Sequence, residues 1–467
     1  MTASTLHLSA EQGQDRSIIY VIGTIAALAG LLFGMDIGVI SGALPFIKDA
    51  FHLSDVMQEL IVSGMMLGAA VGAAFAGRLS RQFGRKVTLG VSGCVFIIGA
   101  LGCALAWSPE ALIGARIVLG LAVGISSYIA PVYLSEIAPE RIRGTLISFY
   151  QLMIMGGILL AYLINVSFSY SGGWRWMLGV IAIPALIMVI GMLILPRSPR
   201  WLADSNRDDE ARDVLMRLRG GDRERVDEEM AQIQEATEVS DVGWQLFRGN
   251  SNFRRSVGLG MLLQFMQQFT GANVILYYAP RILKLAGYAS ETEQLWGTVL
   301  IGLVMTLATI IAITFVDRIG RKPLLYIGFS VMGICMVLLG LLYAHGLDGE
   351  LTKYLALALL GLFVISYAMS AAPMIWILCS EIQPLKGRDF GVACSTVTNW
   401  VANMVIGATF LSLLNGLGNA PTFWLYAALN FLFIVFTLLL IPETKGVSLE
   451  NIERNLMQGK SLRRIGQ

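Results

Sequence analysis

The sequence predicts an all-α membrane protein whose twelve spanning helices form two six-helix halves, and three observations carry that reading. Of its 467 residues, 55% are hydrophobic and only 14% charged, and the mean hydropathy is +0.67, a composition suited to lipid rather than water. Twelve apolar stretches follow one another, each near the roughly 20 residues that cross a bilayer. Loop motifs from the first half recur in the second at one nearly constant offset, the mark of a duplicated unit.

A polar tail over 1–17 opens the chain. It carries Glu11 and Asp15 and no basic run, so it is not expected to act as a cleavable signal peptide. The first half, 18–195, begins with the stretch from Ile18, where "GLLFGMDIGVISG" (30–42) is as apolar as a spanning helix apart from Asp36. A carboxylate at that depth costs roughly 2.5–3.5 kcal/mol and is a functional hypothesis by default. The second stretch, from Glu59, runs to the basic turn "GRLSRQFGRK" (77–86); the third starts near Val87. The fourth, from Ala111, holds Arg116 inside "ALIGARIVLGLAVG" and ends in "YLSEIAPERIRG" (133–144), with Glu136 and Arg143. The fifth, from Leu146, carries Gln151, and the sixth, from Met177, stops at "PRSPRWL".

A charged linker follows over 196–256, in which "DDEARDVLMRLRG" alternates as a short amphipathic helix. The second half spans 257–441. Its first stretch, from Val257, contains "QQFTGANVILYYAP"; the next, from Trp296, ends in "FVDRIGRK" (315–322), an echo of the earlier turn with Arg321 in place of Arg85. Stretches from Leu324 and Leu355 lead to "LCSEIQPLKGRDFG" (378–391), where Glu381 and Arg388 echo Glu136 and Arg143. The last two start near Phe390 and Thr422, and a tail over 442–467 closes the chain.

Basic residues crowd alternate loops, among them Arg78, Arg81, Arg85 and Lys86, the linker, Arg321 and Lys322, and Arg463 and Arg464. By the positive-inside rule both termini and the linker are expected in the cytoplasm. Arg85, Arg143, Arg321 and Arg388 then lie near Glu136 and Glu381 if the halves fold alike. They either set topology alone or also form ion pairs across the cytoplasmic seam, holding an inner gate shut while the outer side is open. The cysteines, at 94, 103, 335, 379 and 394, lack CxxC spacing and read as small buried hydrophobes. The histidines, at 7, 52 and 345, fall in the tail or in loops, leaving no enzyme constellation and no metal site. A net charge of +2 gives no hint of nucleic acid.

The paired "GRK" turns with "RIVLGLAVG", "PVYLSEIAPERIRG", "PRSPRWL", "QQFTGANVILYYAP" and "PETKG" resemble the sugar porter family of the major facilitator superfamily, from about residue 18 to 460. Within that family "MQQFTGANVILYYAP" and "WILCSEIQPLKGRDFG" look most like the bacterial galactose–proton and arabinose–proton symporters. The resemblance implies the superfamily fold, residence in the bacterial cytoplasmic membrane and proton-driven import of a monosaccharide, galactose or glucose or arabinose. It implies no cofactor and no metal. A monomer is the expected state, because two halves already enclose a site.

Two residue sets then acquire roles. Asp36 and Arg116 are each costly alone and are expected to meet. A carboxylate that either carries a proton or pairs with an arginine is a switch, and the family assigns this acid and this arginine to proton coupling; a static buried pair is the other reading. A neutral polyol needs amides for its hydroxyls and aromatic faces for its ring. Gln151, Gln267, Gln268, Asn273, Trp376, Asn399 and Trp400 match the family's sugar pocket, with Phe33 linking pocket to proton site and Tyr277 and Tyr278 resembling a lid. Departures are Met305, where many relatives have an asparagine, and Arg81 and Arg197, where acids are common. A passive carrier would lack Asp36, a drug–proton antiporter the paired glutamines, and a sugar sensor would carry a long signalling tail.

Overall fold

A computed structural model describes residues 3–237, 243–345 and 349–466, and all regular structure among them is helical. Positions 1, 2 and 467 of the expected tails lie outside the described residues. Among the described residues, ten helices are long and apolar enough to span a membrane: Ile19–Phe51, Asp55–Phe83, Arg85–Ala104, Pro109–Ile137, Ile142–Ser169, Trp174–Ile194, Glu291–Ile313, Arg321–His345, Glu350–Glu381 and Asn419–Leu439. An eleventh crossing is the pair Arg388–Gly407 and Phe410–Leu417, bent by 40°. The remaining one is Ser251–Phe269 continued by Ala272–Leu285. Its low hydropathy has a cause: it holds Arg254, Arg255, Gln264, Gln267, Gln268 and Asn273. Twelve crossings result, as the sequence predicts.

Several helices start before their apolar run, because a polar cap starts them. Ser54, Ser108 and Ser290 each accept from a first-turn N–H, of Met57, Ala111 and Glu293 respectively, satisfying one of the orphan donors of a helix start. The second and eighth spans therefore begin at Asp55 and Glu291 rather than near Glu59 and Trp296.

With the spans numbered in chain order, the packing repeats. In the first half the first packs on the fifth, the second on the fourth, and the third on the fourth and sixth; in the second half the seventh packs on the eleventh, the eighth on the tenth, and the ninth on the tenth and twelfth. Between halves the second meets the eleventh and the fifth meets the eighth, two contacts that an internal two-fold interchanges. The turns match as well: Gly84 has φ 85° and ψ 159°, Gly320 φ 104° and ψ 161°. Large apolar side chains such as Ile98, Leu193 and Leu439 face outward, more than half exposed, as a surface bathed in lipid tails allows.

The linker folds as short helices, Pro199–Asp204, Asp208–Leu218 and Arg223–Thr237, around Trp201, Leu215 and Met230. Arg219 fastens them to the first half: it donates to the Ile137 carbonyl at 3.1 Å and pairs with Glu229 at 2.8 Å. A further helix, Gly243–Gly249, lies against the seventh and eleventh spans.

Candidate functional site

Asp36 and Arg116 meet in the middle of the first half, both 0% exposed, with Nη1 donating to Oδ1 at 2.6 Å. Arg116 Nε also donates to the Ile61 carbonyl of the second span at 3.2 Å. Asp36 Oδ2 and Arg116 Nη2 have no hydrogen-bond partner among the described residues. Removing one member of such a pair strands the other charge in a dry interior, which costs about 3–5 kcal/mol. A proton on Asp36 neutralises the carboxylate yet leaves its carbonyl oxygen as an acceptor for Arg116, a smaller change than deleting either side chain.

The amide cluster is built around a break in the seventh span. Gly271 sits at φ 92°, a left-handed conformation that side chains beyond glycine resist. Around it, Gln267 Nε2 donates to the carbonyls of Ala371 and Ala372, each at 3.1 Å. Those carbonyls belong to the turn just after Ser370, where the tenth span is itself interrupted. Asn399 Nδ2 donates to Gln267 Oε1 at 2.9 Å and to Gln264 Oε1 at 2.6 Å, while Asn273 donates to Gln268. Four of the predicted residues, Gln267, Gln268, Asn273 and Asn399, thus form one connected polar patch, all less than 9% exposed.

The predicted aromatic residues are spread over several spans. Trp400 packs on Phe33 of the first half, ring centroids 5.2 Å apart. Trp376, on the tenth span, is 39% exposed, and Gln151 is half-buried. Tyr277 and Tyr278 are fully buried; Tyr277 accepts from Asn403 at 3.0 Å and Tyr278 donates to the Gly407 carbonyl at 2.7 Å. Met305 is buried in the eighth span.

At the end of the bundle that carries the linker, Arg85 pairs with Glu136 at 2.7 Å and Arg321 with Glu381 at 3.1 Å. Each pair lies within one half, whereas the sequence reading includes pairing across the seam. The reason lies at the opposite end, where the halves are joined instead: Tyr162 donates to the Leu276 carbonyl at 3.0 Å, and Glu59 of the second span accepts from Ser412 of the eleventh. Arg143 and Arg388 are half-buried, and neither Nε has a hydrogen-bond partner among the described residues. Arg81 and Arg197 have found a different use, framing Trp201: its Nε1 donates to the Arg81 carbonyl at 2.8 Å and the Arg197 guanidinium lies 5.3 Å from its ring.

Some residues escape the sequence reading. Gln264 lies three residues before Gln267, hence on the same helical face, and that spacing is the signal for it. Ser198, from "PRSPRWL", donates to Glu136 at 2.5 Å, and Thr444, from "PETKG", donates to Glu381 at 2.5 Å. Each hydroxyl stands two residues after a proline, Pro196 and Pro442, and the two lie 246 residues apart against 245 for Glu136 and Glu381, so that spacing is the signal for them.

The model of the family described as "Sugar (and other) transporter" matches residues 22–456. The chain is 58% identical to the galactose-proton symporter of Escherichia coli over 457 residues, 98% of each chain. It is 55% identical to the arabinose-proton symporter of the same organism over 448 residues, 95% of each. The structure resembles the partially occluded inward open conformation of the xylose transporter XylE from E. coli, with TM-score 0.81 and 30% identity, covering 92% of this chain and 100% of that one.

Proposed function

The chain belongs to the sugar transporter family of the major facilitator superfamily, and on that premise we propose that it imports a monosaccharide together with a proton by alternating access. It is a multi-pass membrane transporter and not an enzyme. The observation that carries the proton coupling is the sealed Asp36–Arg116 pair, bonded through Arg116 to the second span. Proton arrival at Asp36 releases Arg116; proton departure restores the pair.

Gln267, Gln268, Asn273 and Asn399 supply the amides for the sugar hydroxyls, Gln151 adds one from the first half, and Trp376, Trp400 and Phe33 cover the apolar ring faces. Tyr277 and Tyr278 close above. Galactose, glucose or arabinose is the cargo; the relatives named for galactose and arabinose support this range, and Met305 removes one amide that other sugar porters offer. The linker end, rich in arginine and lysine, faces the cytoplasm with both termini, in the bacterial inner membrane. Residues 18–195 and 257–441 are the two moving halves, joined by the linker over 196–256. Arg85–Glu136 and Arg321–Glu381, with Arg143 and Arg388, brace the inner end of each half, where the inner gate forms as the halves close, and one chain acts alone.

The test follows external pH in de-energised cells making the protein, as galactose, glucose, arabinose and xylose are added in turn. Alkalinisation with one of the first three is expected. Equilibration of labelled sugar with no pH change would show a passive carrier and refute the role of Asp36.

A further inference from the structure

Two carboxylates near the outer end of the second span belong to the first half yet accept hydrogen bonds from the second. Glu59 is 2% exposed. Its Oε1 accepts from the Ser412 backbone N–H at 2.7 Å and its Oε2 from the Ser412 hydroxyl at 2.6 Å. At the rim, Asp55 Oδ2 accepts from Asn415 Nδ2 at 2.7 Å.

Ser412 is the third residue of Phe410–Leu417, the outer segment of the bent eleventh span. First-turn N–H groups have no acceptor in their own helix and favour a carboxylate. Thr409, in the capping position, makes no side-chain cap here; its hydroxyl donates back to the Val405 carbonyl at 2.7 Å. The first half therefore supplies the cap that this short helix lacks. Two residues along from Glu59, the Ile61 carbonyl accepts from Arg116, so one helix touches both the proton-coupling pair and the cap of the opposite half.

We propose that Glu59 is the outer latch of the transport cycle: its bonds to Ser412 hold the outer side closed, and their rupture accompanies opening to the outside. The inference rests on the alternating-access reading, in which the outer ends of the halves must part. Contacts such as Arg85–Glu136 lie within a half and survive that movement; the Glu59–Ser412 bonds join the halves and do not. Opening brings water to Glu59, so the carboxylate exchanges one set of donors for another and is never stranded, which makes the latch reversible. Arg116 reaches it along the second span, giving proton binding at Asp36 a physical route to the outer closure.

The experiment uses the full-length protein in proteoliposomes without a proton gradient, measuring half-saturation for labelled D-galactose, D-glucose and L-arabinose entering from outside and leaving from inside. Weakening the latch enlarges the outward-facing population, and apparent affinity rises on the side whose competent state is more populated. Glu59→Gln is expected to lower the external half-saturation and raise the internal one, changing their ratio by about tenfold, the worth of one charge-assisted hydrogen bond. Ser412→Ala should act in the same direction, with little added in the double variant. Should Glu59→Gln fail to reach the membrane, Ser412→Ala and the rim variant Asn415→Ala carry the same test. Shifts of both half-saturations in one direction, or of neither, overturn the latch while leaving transport intact. A wild-type protein that moves none of the three sugars overturns the transport reading, and the latch with it.

Discussion

Arg116 bonds a carboxylate of one helix and a backbone carbonyl of another at once: Asp36 at 2.6 Å and Ile61 at 3.2 Å. It therefore joins the first, second and fourth spans in a single side chain. Asp36→Asn keeps the shape and deletes the charge. This variant is expected to exchange sugar across the membrane at equilibrium but to hold no accumulation above the outside concentration. Counterflow measured beside active uptake checks it, and full accumulation would remove Asp36 from the coupling.

Arg116→Lys is the converse change, keeping the charge and deleting the fork. A lysine is a point charge without the fork that serves two acceptors, so either Asp36 or the Ile61 carbonyl loses its donor. The cost should be about 1–3 kcal/mol, read as a lower Tm in detergent and loss of active uptake together.

Gln267 and Gln264 make different demands on the fold. Gln267 holds the broken tenth span through two carbonyls as well as Asn399, whereas Gln264 bonds Asn399 and the thiol of Cys379. Gln267→Ala is expected to weaken sugar binding about tenfold or more and to lower Tm; Gln264→Ala should weaken binding by a smaller factor. Titration of the purified proteins with sugar, followed by intrinsic tryptophan fluorescence, gives the comparison. Equal affinities in both variants and wild type would return the cluster to a purely structural role.

Gly271→Ala places a methyl carbon 3.1 Å from Met336 Cε and from the Tyr426 ring, on a backbone at φ 92°. The left-handed conformation alone costs about 1–2 kcal/mol. The variant is expected to insert normally yet transport slowly, because the break in the seventh span shifts the amides on either side of it. Initial rates of uptake, normalised to protein in the membrane, provide the check.

Ser198→Ala and Thr444→Ala should both destabilise, but unequally. Each removes a hydroxyl donor from a glutamate already paired with an arginine, at equivalent places in the two halves. Ser198 Oγ also accepts from the Trp201 N–H at 3.2 Å as the cap of Pro199–Asp204, so Ser198→Ala is expected to cost about 1 kcal/mol more, read as the larger fall in Tm. Equal losses would show that the cap adds nothing.

The outline of the molecule was legible in the sequence because lipid imposes a coarse and strict rule: an uninterrupted apolar run long enough to cross. Asp36 and Arg116 stood out for the same reason, as charges where none is cheap. Gln267, Gln268 and Asn273 were legible from a short motif. Glu59 was not, since an acid at the start of a span looks like an interfacial residue; only the fold reveals that its acceptors are filled by Ser412, far along the chain. Ser198 and Thr444 were marked by position, each two residues after a proline and 246 residues apart against 245 for Glu136 and Glu381, but a hydroxyl by itself does not announce the glutamate it will bond. The pairing partners of Arg85 and Arg321 depended on which end of the bundle was joined, a property of conformation that composition does not encode.

The amides of the connected patch, from Gln264 to Asn399, all lie in the second half, while Asp36 and Arg116 both lie in the first. On the proposed reading, most contacts to the cargo sit in one copy of the repeat and the pair that takes the fuel in the other, with Gln151 and Phe33 crossing over. Mutation of the second copy can then explore new cargoes while the pair that draws on the ion gradient stays in place.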